Sequence, residues 1–199
     1  INMSGNLTGP LNKMALDNFY IKSDDINLHS KHLKIEDVLN GKFYIQSNDL
    51  SADFTYKSLK GILPTFISSK LGNFADDFGR LKFNGAFKAE PKEIFVNGNV
   101  ITGIGQAKVS NLFLTDYSTD MPRYRGFMDV KDLNVTALTK NKQVGLITGK
   151  FNVDGRSFDL NKMHLRTKSE VRNIQLLGKN ISNVNLDGTL DRKVFQGLV

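Results

Sequence analysis

The chain has no cysteine and no tryptophan in 199 residues, and only four prolines and three histidines. Without cysteine there are no disulfides, a composition that suits an oxidising compartment and a reducing one alike. Without tryptophan, and with 14 Phe placed on the apolar beat of the chain, an aromatic sugar-stacking surface is not expected. No apolar run approaches the roughly 20 residues that cross a bilayer as a helix, and no signal-peptide pattern is visible at Ile1. The chain starts at Ile1 and stops in mid-pattern at Phe195-Gln196-Gly197-Leu198-Val199. We therefore expect a segment of a longer protein whose address and membrane anchor lie elsewhere.

Groups that carry catalysis are equally scarce. His29 and His32 are three apart in a predicted strand, which would set them on opposite faces, and His164 stands alone. Gly103-Ile104-Gly105 has Lys108 where a dinucleotide fingerprint needs its third glycine. Asp24-Asp25 and Asp76-Asp77 lack a repeated calcium-ligand spacing, so no metal, no cofactor and no enzyme activity is expected. The net charge is +7, yet no basic run exceeds two residues and no RNA- or DNA-binding signature occurs, so nucleic acid is not an expected partner. Lys82, Lys88, Lys108, Lys150 and Arg166 fall on polar beats, where cations solvate an outer sheet face and discourage edge pairing. Contact with anionic lipid headgroups is the sharper reading of the same charges.

What the chain does have is alternation. Leu81, Phe83, Phe87 and Ala89 share one side of a predicted strand, and Lys82, Asn84 and Lys88 share the other. The same device, broken by one glycine, returns at 147–153 and 184–190. Gly9-Pro10, Asn40-Gly41, Asn97-Gly98, Asp154-Gly155, Leu177-Gly178-Lys179-Asn180 and Asp187-Gly188 carry turn chemistry. Gly85, Gly149 and Gly188 lie inside alternating runs, where glycine marks a bulge, a bend or a close approach. Two stretches break the rhythm. Residues 58–77 carry a helical stripe that Pro64 should split, one helix ending near Ile62 and another starting at Pro64. Asp132 to Asn141 fits a two-turn helix. A unit of strand, short helix and glycine-punctuated strand thus occurs twice, as expected of a repeat protein in which each unit buries its neighbour's face.

The expected fold is mainly β: an elongated, curved sheet, a taco or groove-like β-solenoid, with two short docked helices. Strand repeats cover 1–56, a helical insert 57–78, and further strands 79–199 with a helix near 132–141, forming one continuous domain.

The run from Asp129 to Val135, continued through Gly149-Lys150-Phe151-Asn152-Val153-Asp154-Gly155 to Leu160, resembles the repeat of the AsmA-like envelope proteins. With Ile181-Ser182-Asn183-Val184-Asn185-Leu186-Asp187-Gly188 and Phe195-Gln196-Gly197, the likeness is to the TamB branch, over residues 120–199 most clearly. That resemblance implies a periplasmic bridge anchored to the inner membrane, part of a translocation and assembly module. It implies phospholipid transport and outer-membrane biogenesis as functions. The implied partners are a phospholipid or other acyl-chain ligand and an outer-membrane β-barrel, with membrane contact through parts outside this segment. The insert at 58–77 is longer than its counterpart at 132–141, which departs from a uniform repeat. An acyl chain gains about 0.8 kcal/mol for each CH₂ kept from water, so an apolar groove can hold it without a catalytic residue. The candidate lining is Phe43, Ile45, Leu81, Phe83, Phe87, Ile147, Phe151, Val153, Leu186 and Leu190. Alternation shows that one face is apolar and leaves open whether it is a groove or a closed core. Two other readings stand beside the lipid one: a scaffold or chaperone that offers strand edges to β-barrel clients, and a carbohydrate-binding or enzymatic β-solenoid.

Overall fold

Strand follows strand in sequence order. In the computed structural model, which describes residues 1–37, 42–62, 78–139, 141–159 and 161–199, twelve strands form one antiparallel sheet. They are β1 (Asn2–Thr8), β2 (Lys13–Lys22), β3 (Ile26–Glu36), β4 (Tyr44–Thr55), β5 (Arg80–Ala89) and β6 (Glu93–Thr102). Then come β7 (Gly105–Thr115), β8 (Arg123–Asn134), β9 (Val144–Arg156), β10 (His164–Leu176), β11 (Lys179–Asp191) and β12 (Val194–Leu198). Spatial order equals chain order, and β1 and β12 have one neighbour each, so the sheet does not close. Repeats extend the ladder sideways, each strand pairing with its sequence neighbours.

Two short helices interrupt the meander. The first, α1 (Tyr56–Ile62), leaves β4 directly, and the second, α2 (Val135–Thr139), leaves β8 directly. Each has a built cap at its first turn. Thr55 Oγ1 accepts the Ser58 N–H at 3.1 Å, and Asn134 Oδ1 accepts the Ala137 N–H at 3.0 Å. Such caps satisfy donors that a helix start leaves open. The helix expected here is α1, which runs up to Ile62, the last described residue before 63–77; the helix expected from Pro64 lies outside the described residues. The helix expected over 132–141 is shorter, because Asp132 to Asn134 remain in β8. The repeated unit is therefore β4–α1–β5 and β8–α2–β9, two antiparallel strand pairs with a helix between their members.

Several turn signals proved to be strand. Leu177 (φ 51°) and Gly178 (φ 77°) do form the two-residue β10–β11 turn. Asn97-Gly98, Asp154-Gly155 and Asp187-Gly188 instead lie within β6, β9 and β11. Gly98 faces Gly85 across the ladder, where a Cβ on Gly85 would stand 2.2 Å from the Asn97 carbonyl oxygen and 2.6 Å from Gly98 Cα. Gly98 and Gly188 answer to backbone approach and Gly155 to the Tyr124 ring above it, not to chain reversal. Asn40-Gly41 lies outside the described residues.

The chain divides into two compact units, Ile1–Gly103 and Ile104–Val199, at the β6–β7 turn and not at the helical insert. In the first unit, Phe19, Ile26, Leu33, Phe43, Ala52, Tyr56, Phe83 and Ala89 are buried. Phe43 and Ala89 form a cluster with Ile45, Phe87 and Ile94. A line of backbone irregularities crosses these strands. It runs from a register shift between Ser4 and Asn6 through Asn18 (φ 51°) to the β4–β5 shift between Ser47 and Leu50, then Gly85 (φ 155°). Asn and Gly hold such backbone at little cost, and a bulge re-aims the side chains beyond it. The buried beat of β3 accordingly passes from Ile26 and Ser30 to Leu33. His29 and His32 consequently are both exposed, so the expectation of opposite faces does not hold.

In the second unit the buried side chains are smaller: Val109, Val130, Val153, Val171, Ser157, Thr167 and Ser169. Two lines of irregularity cross it. One joins Asn111 (φ 49°) to Gly126 (φ 156°), where an added Cβ would lie 2.7 Å from Leu112 Cα. The other joins Asp132 (φ 52°), the β10 shift between Val171 and Asn173, and Asn183 (φ 59°).

Candidate functional site

The apolar face is the candidate site, and cross-strand register shows how the sequence builds it. Phe83 pairs with Ala52 on one side and Val100 on the other. Phe87 pairs with Ser47 and Val96, and Ile45 with Ile35 and Ala89. On the second unit, one rung reads Met128–Phe151–Ser169–Leu186, and another reads Gly126–Val153–Thr167–Gly188. Ile147 faces Leu133 and Ile174, and Leu190 faces Leu165 and Phe195.

All ten sequence-predicted lining residues are withdrawn from solvent, and their depth divides them. Phe43 (2% exposed), Phe83 (6%) and Val153 (5%) are buried in protein already. Ile45, Leu81, Phe87, Ile147, Phe151, Leu186 and Leu190 are half-buried. Those of the first unit and those of the second form separate sets, each within its own strands.

The second set has relief. Ser169, 3% exposed, sits in register between half-buried Phe151 and Leu186. Thr167 and Val171, its neighbours on the same face of β10, are buried as well. At the Ser169 rung a small recessed residue of β10 lies between larger apolar ones of β9 and β11, whereas Thr167 stands between Val153 and Gly188, and Val171 between Gly149 and Val184. The hydroxyls on that line are satisfied: Thr167 Oγ1 donates to the Asn152 carbonyl at 3.1 Å and shares a 2.6 Å bond with Ser169 Oγ. Among the described residues no buried side-chain nitrogen or oxygen lacks a partner.

The first unit carries a polar node that sequence reasoning missed. Ser30 Oγ and Ser47 Oγ lie 2.8 Å apart, and each hydroxyl reaches Asp49 Oδ1, at 2.9 and 3.2 Å. The Lys31 N–H donates to the same oxygen at 3.0 Å. Burial pushes the Asp49 carboxyl up, but the bonds from Ser30, the Lys31 N–H, Ser47 and the His32 N–H together hold it below its ordinary value. A serine on the apolar beat, as in Ile26-x-Leu28-x-Ser30, was the available signal; Leu165-x-Thr167-x-Ser169 repeats it.

The opposite face is polar, and several of its charges are paired. Arg80 and Lys82 meet Asp53 at 2.5 and 3.8 Å, Lys88 meets Glu90 and Glu93 at 3.1 and 3.5 Å, and Arg172 meets Asp129. On this face of the second unit, Asp132, Leu146, Thr148, Asn173, Gln175 and Asn180 line a recess of about 260 Å³, which is separate from the apolar lining. At one end of β8 and β9, the Tyr124 ring lies over Gly155 and stacks on Phe158 at 5.0 Å. Burial pushes the Tyr124 phenol up to about 12, so it stays protonated across the physiological range. Among the described residues no group of three or more metal-ligating side chains occurs, and no helix is long and apolar enough to cross a membrane.

Compared with protein-family models, curated proteins and solved structures, the chain finds no match.

Proposed function

We propose that this chain is a segment of a TamB-like bridge of the bacterial envelope, which holds lipid acyl chains against the apolar face of its sheet. In this account it lies in the periplasm, in a protein anchored to the inner membrane, and supports lipid transport between membranes and outer-membrane assembly. The curved groove belongs to the same proposal. The observation that carries it is one rung of the second unit, where recessed Ser169 lies between larger, half-buried Phe151 and Leu186. A floor with its hydroxyls internally bonded offers an acyl chain no unmet polar group, and the flanking Phe and Leu offer apolar contact. Each methylene removed from water there contributes about 0.8 kcal/mol, so a chain of ordinary length needs only partial coverage to be held.

Organic extraction and mass spectrometry of the protein purified without detergent test this reading. Phospholipid is expected in the wild type and should be absent from a still-folded Phe151→Asp or Leu186→Asp variant. Phe83→Asp is the wrong probe, because that ring is buried and an unpaired charge there attacks the fold. Wild-type protein free of lipid, or folded variants that keep it, would sink the proposal. The scaffold reading has one observation in its favour: β1 and β12, the strands with a single neighbour, are exposed along their whole lengths. A β-barrel client would then pair with such an edge by strand addition.

A further inference from the structure

The positive charge is unevenly distributed. Residues 104–199 hold 15 Lys and Arg against nine Asp and Glu, while residues 1–103 hold 12 against 11. Six of the seven arginines belong to the second unit. Four of them gather on its polar face. Arg123, the first residue of β8, stands directly across the ladder from Arg156, the last of β9. On the next outward-facing rung, Arg125 and Arg166 flank Asp154 from β8 and β10. All four are exposed, and among the described residues none has a carboxylate within ion-pair distance. Around them, His164 pairs with Asp191 at 3.7 Å and Lys162 with Asp120 at 3.0 Å.

Like charges set directly opposite one another in a sheet are destabilising. Elsewhere on this face the sheet places opposite charges together, as with Lys150 and Glu170 at 3.9 Å. Arg123 and Arg156 break that rule, and a planar guanidinium fork fits phosphate oxygens. An apolar side chain accompanies them: Phe127, on the same face of β8, is 39% exposed. We infer that the Arg123, Arg125, Arg156 and Arg166 patch docks on the phosphate groups of an anionic bilayer surface. Nucleic acid is the weaker fit, since base stacking needs free ring faces. Phe158 is already stacked on Tyr124, and Phe113 carries the Arg125 guanidinium 5.0 Å from its centroid. Exposed Phe beside Arg suits a headgroup layer, where the ring enters the apolar boundary and the charge stays at the phosphates. This deepens the lipid reading given above and rests on it for the presence of membranes as partners.

Co-sedimentation with vesicles of phosphatidylcholine alone, or of equal parts phosphatidylcholine and phosphatidylglycerol, tests the inference on the whole chain. The wild type should bind the anionic vesicles only, and release them as salt rises. Arg123→Gln/Arg156→Gln should weaken binding about 25-fold, at about fivefold per arginine, and should melt no lower than wild type because a repulsion is relieved. Lys13→Gln/Lys34→Gln, on the first unit, should change binding less than twofold. Equal losses in both pairs, no binding to anionic vesicles, or arginine-dependent binding to a single-stranded oligonucleotide but not to vesicles would each overturn the inference. Vesicle binding by a protein that carries no extractable lipid would refute the acyl-groove proposal alone.

Discussion

The two units each carry an apolar sheet face and build it from different side chains. The first unit fills its face with large residues, Phe19, Phe43, Tyr56 and Phe83, and is nearly neutral. The second buries valines and hydroxyls, leaves Phe151, Leu186 and Leu190 half-buried, and holds nearly all the excess charge. One repeat pattern can therefore carry large buried side chains in one unit and small ones in the other.

The largest expected effect separates those two faces. Phe43→Ala should cost about 3–5 kcal/mol in urea unfolding, as for a buried aromatic, and Phe151→Ala clearly less because that ring is half-buried. Equal costs would show that the second face is as closed as the first. Next comes Gly85→Ala. Its Cβ would meet neighbouring backbone at 2.2 and 2.6 Å in a φ of 155°, a loss of about 2–3 kcal/mol by the same assay. Asp49→Ala should cost about 2 kcal/mol, since Ser30, Ser47 and the Lys31 N–H lose their shared acceptor. This node exists only in the first unit, so it also gives that unit its own acid response. The Asp49 carboxyl is held low when folded, so its contribution is complete above the unfolded value of about 3.9 and is lost as pH falls through the folded value. Stability curves of wild type and Asp49→Asn should run parallel above that window and converge as pH falls through it. Ser169→Ala should be the mildest, about 1 kcal/mol, because Thr167 keeps the Asn152 carbonyl as partner.

Much of this was legible in the sequence. A period of two assigns a side to every residue of a regular strand, which is why Phe83 and Lys82, or Val153 and Asn152, fell where alternation put them. Legibility failed where the backbone stops being regular. Asn18, Asn111, Asp132 and Asn183 adopt positive φ inside strands, and each shifts the beat in a way that spacing alone does not announce. The same gap explains His29 and His32; the turn signals at Gly98 and Gly155 lie inside strands, while Gly188 is the in-strand glycine that its alternating run marked. Burial depth was beyond reach as well, since alternation assigns a side and not a depth: Phe83 and Phe151 carry the same local pattern and differ in depth. The Asp49 node needed three residues from two strands to converge on one oxygen.

The absence of cysteine makes the decisive measurement clean, because an introduced thiol is the only one to label. Leu186→Cys and Asp187→Cys place a polarity-sensitive fluorophore on adjacent residues of β11, one half-buried on the apolar face and one exposed. On titration with phospholipid, the Leu186 label should shift to the blue and the Asp187 label should not move. A shift at both positions, or at neither, would contradict an acyl chain held on the apolar face of the second unit.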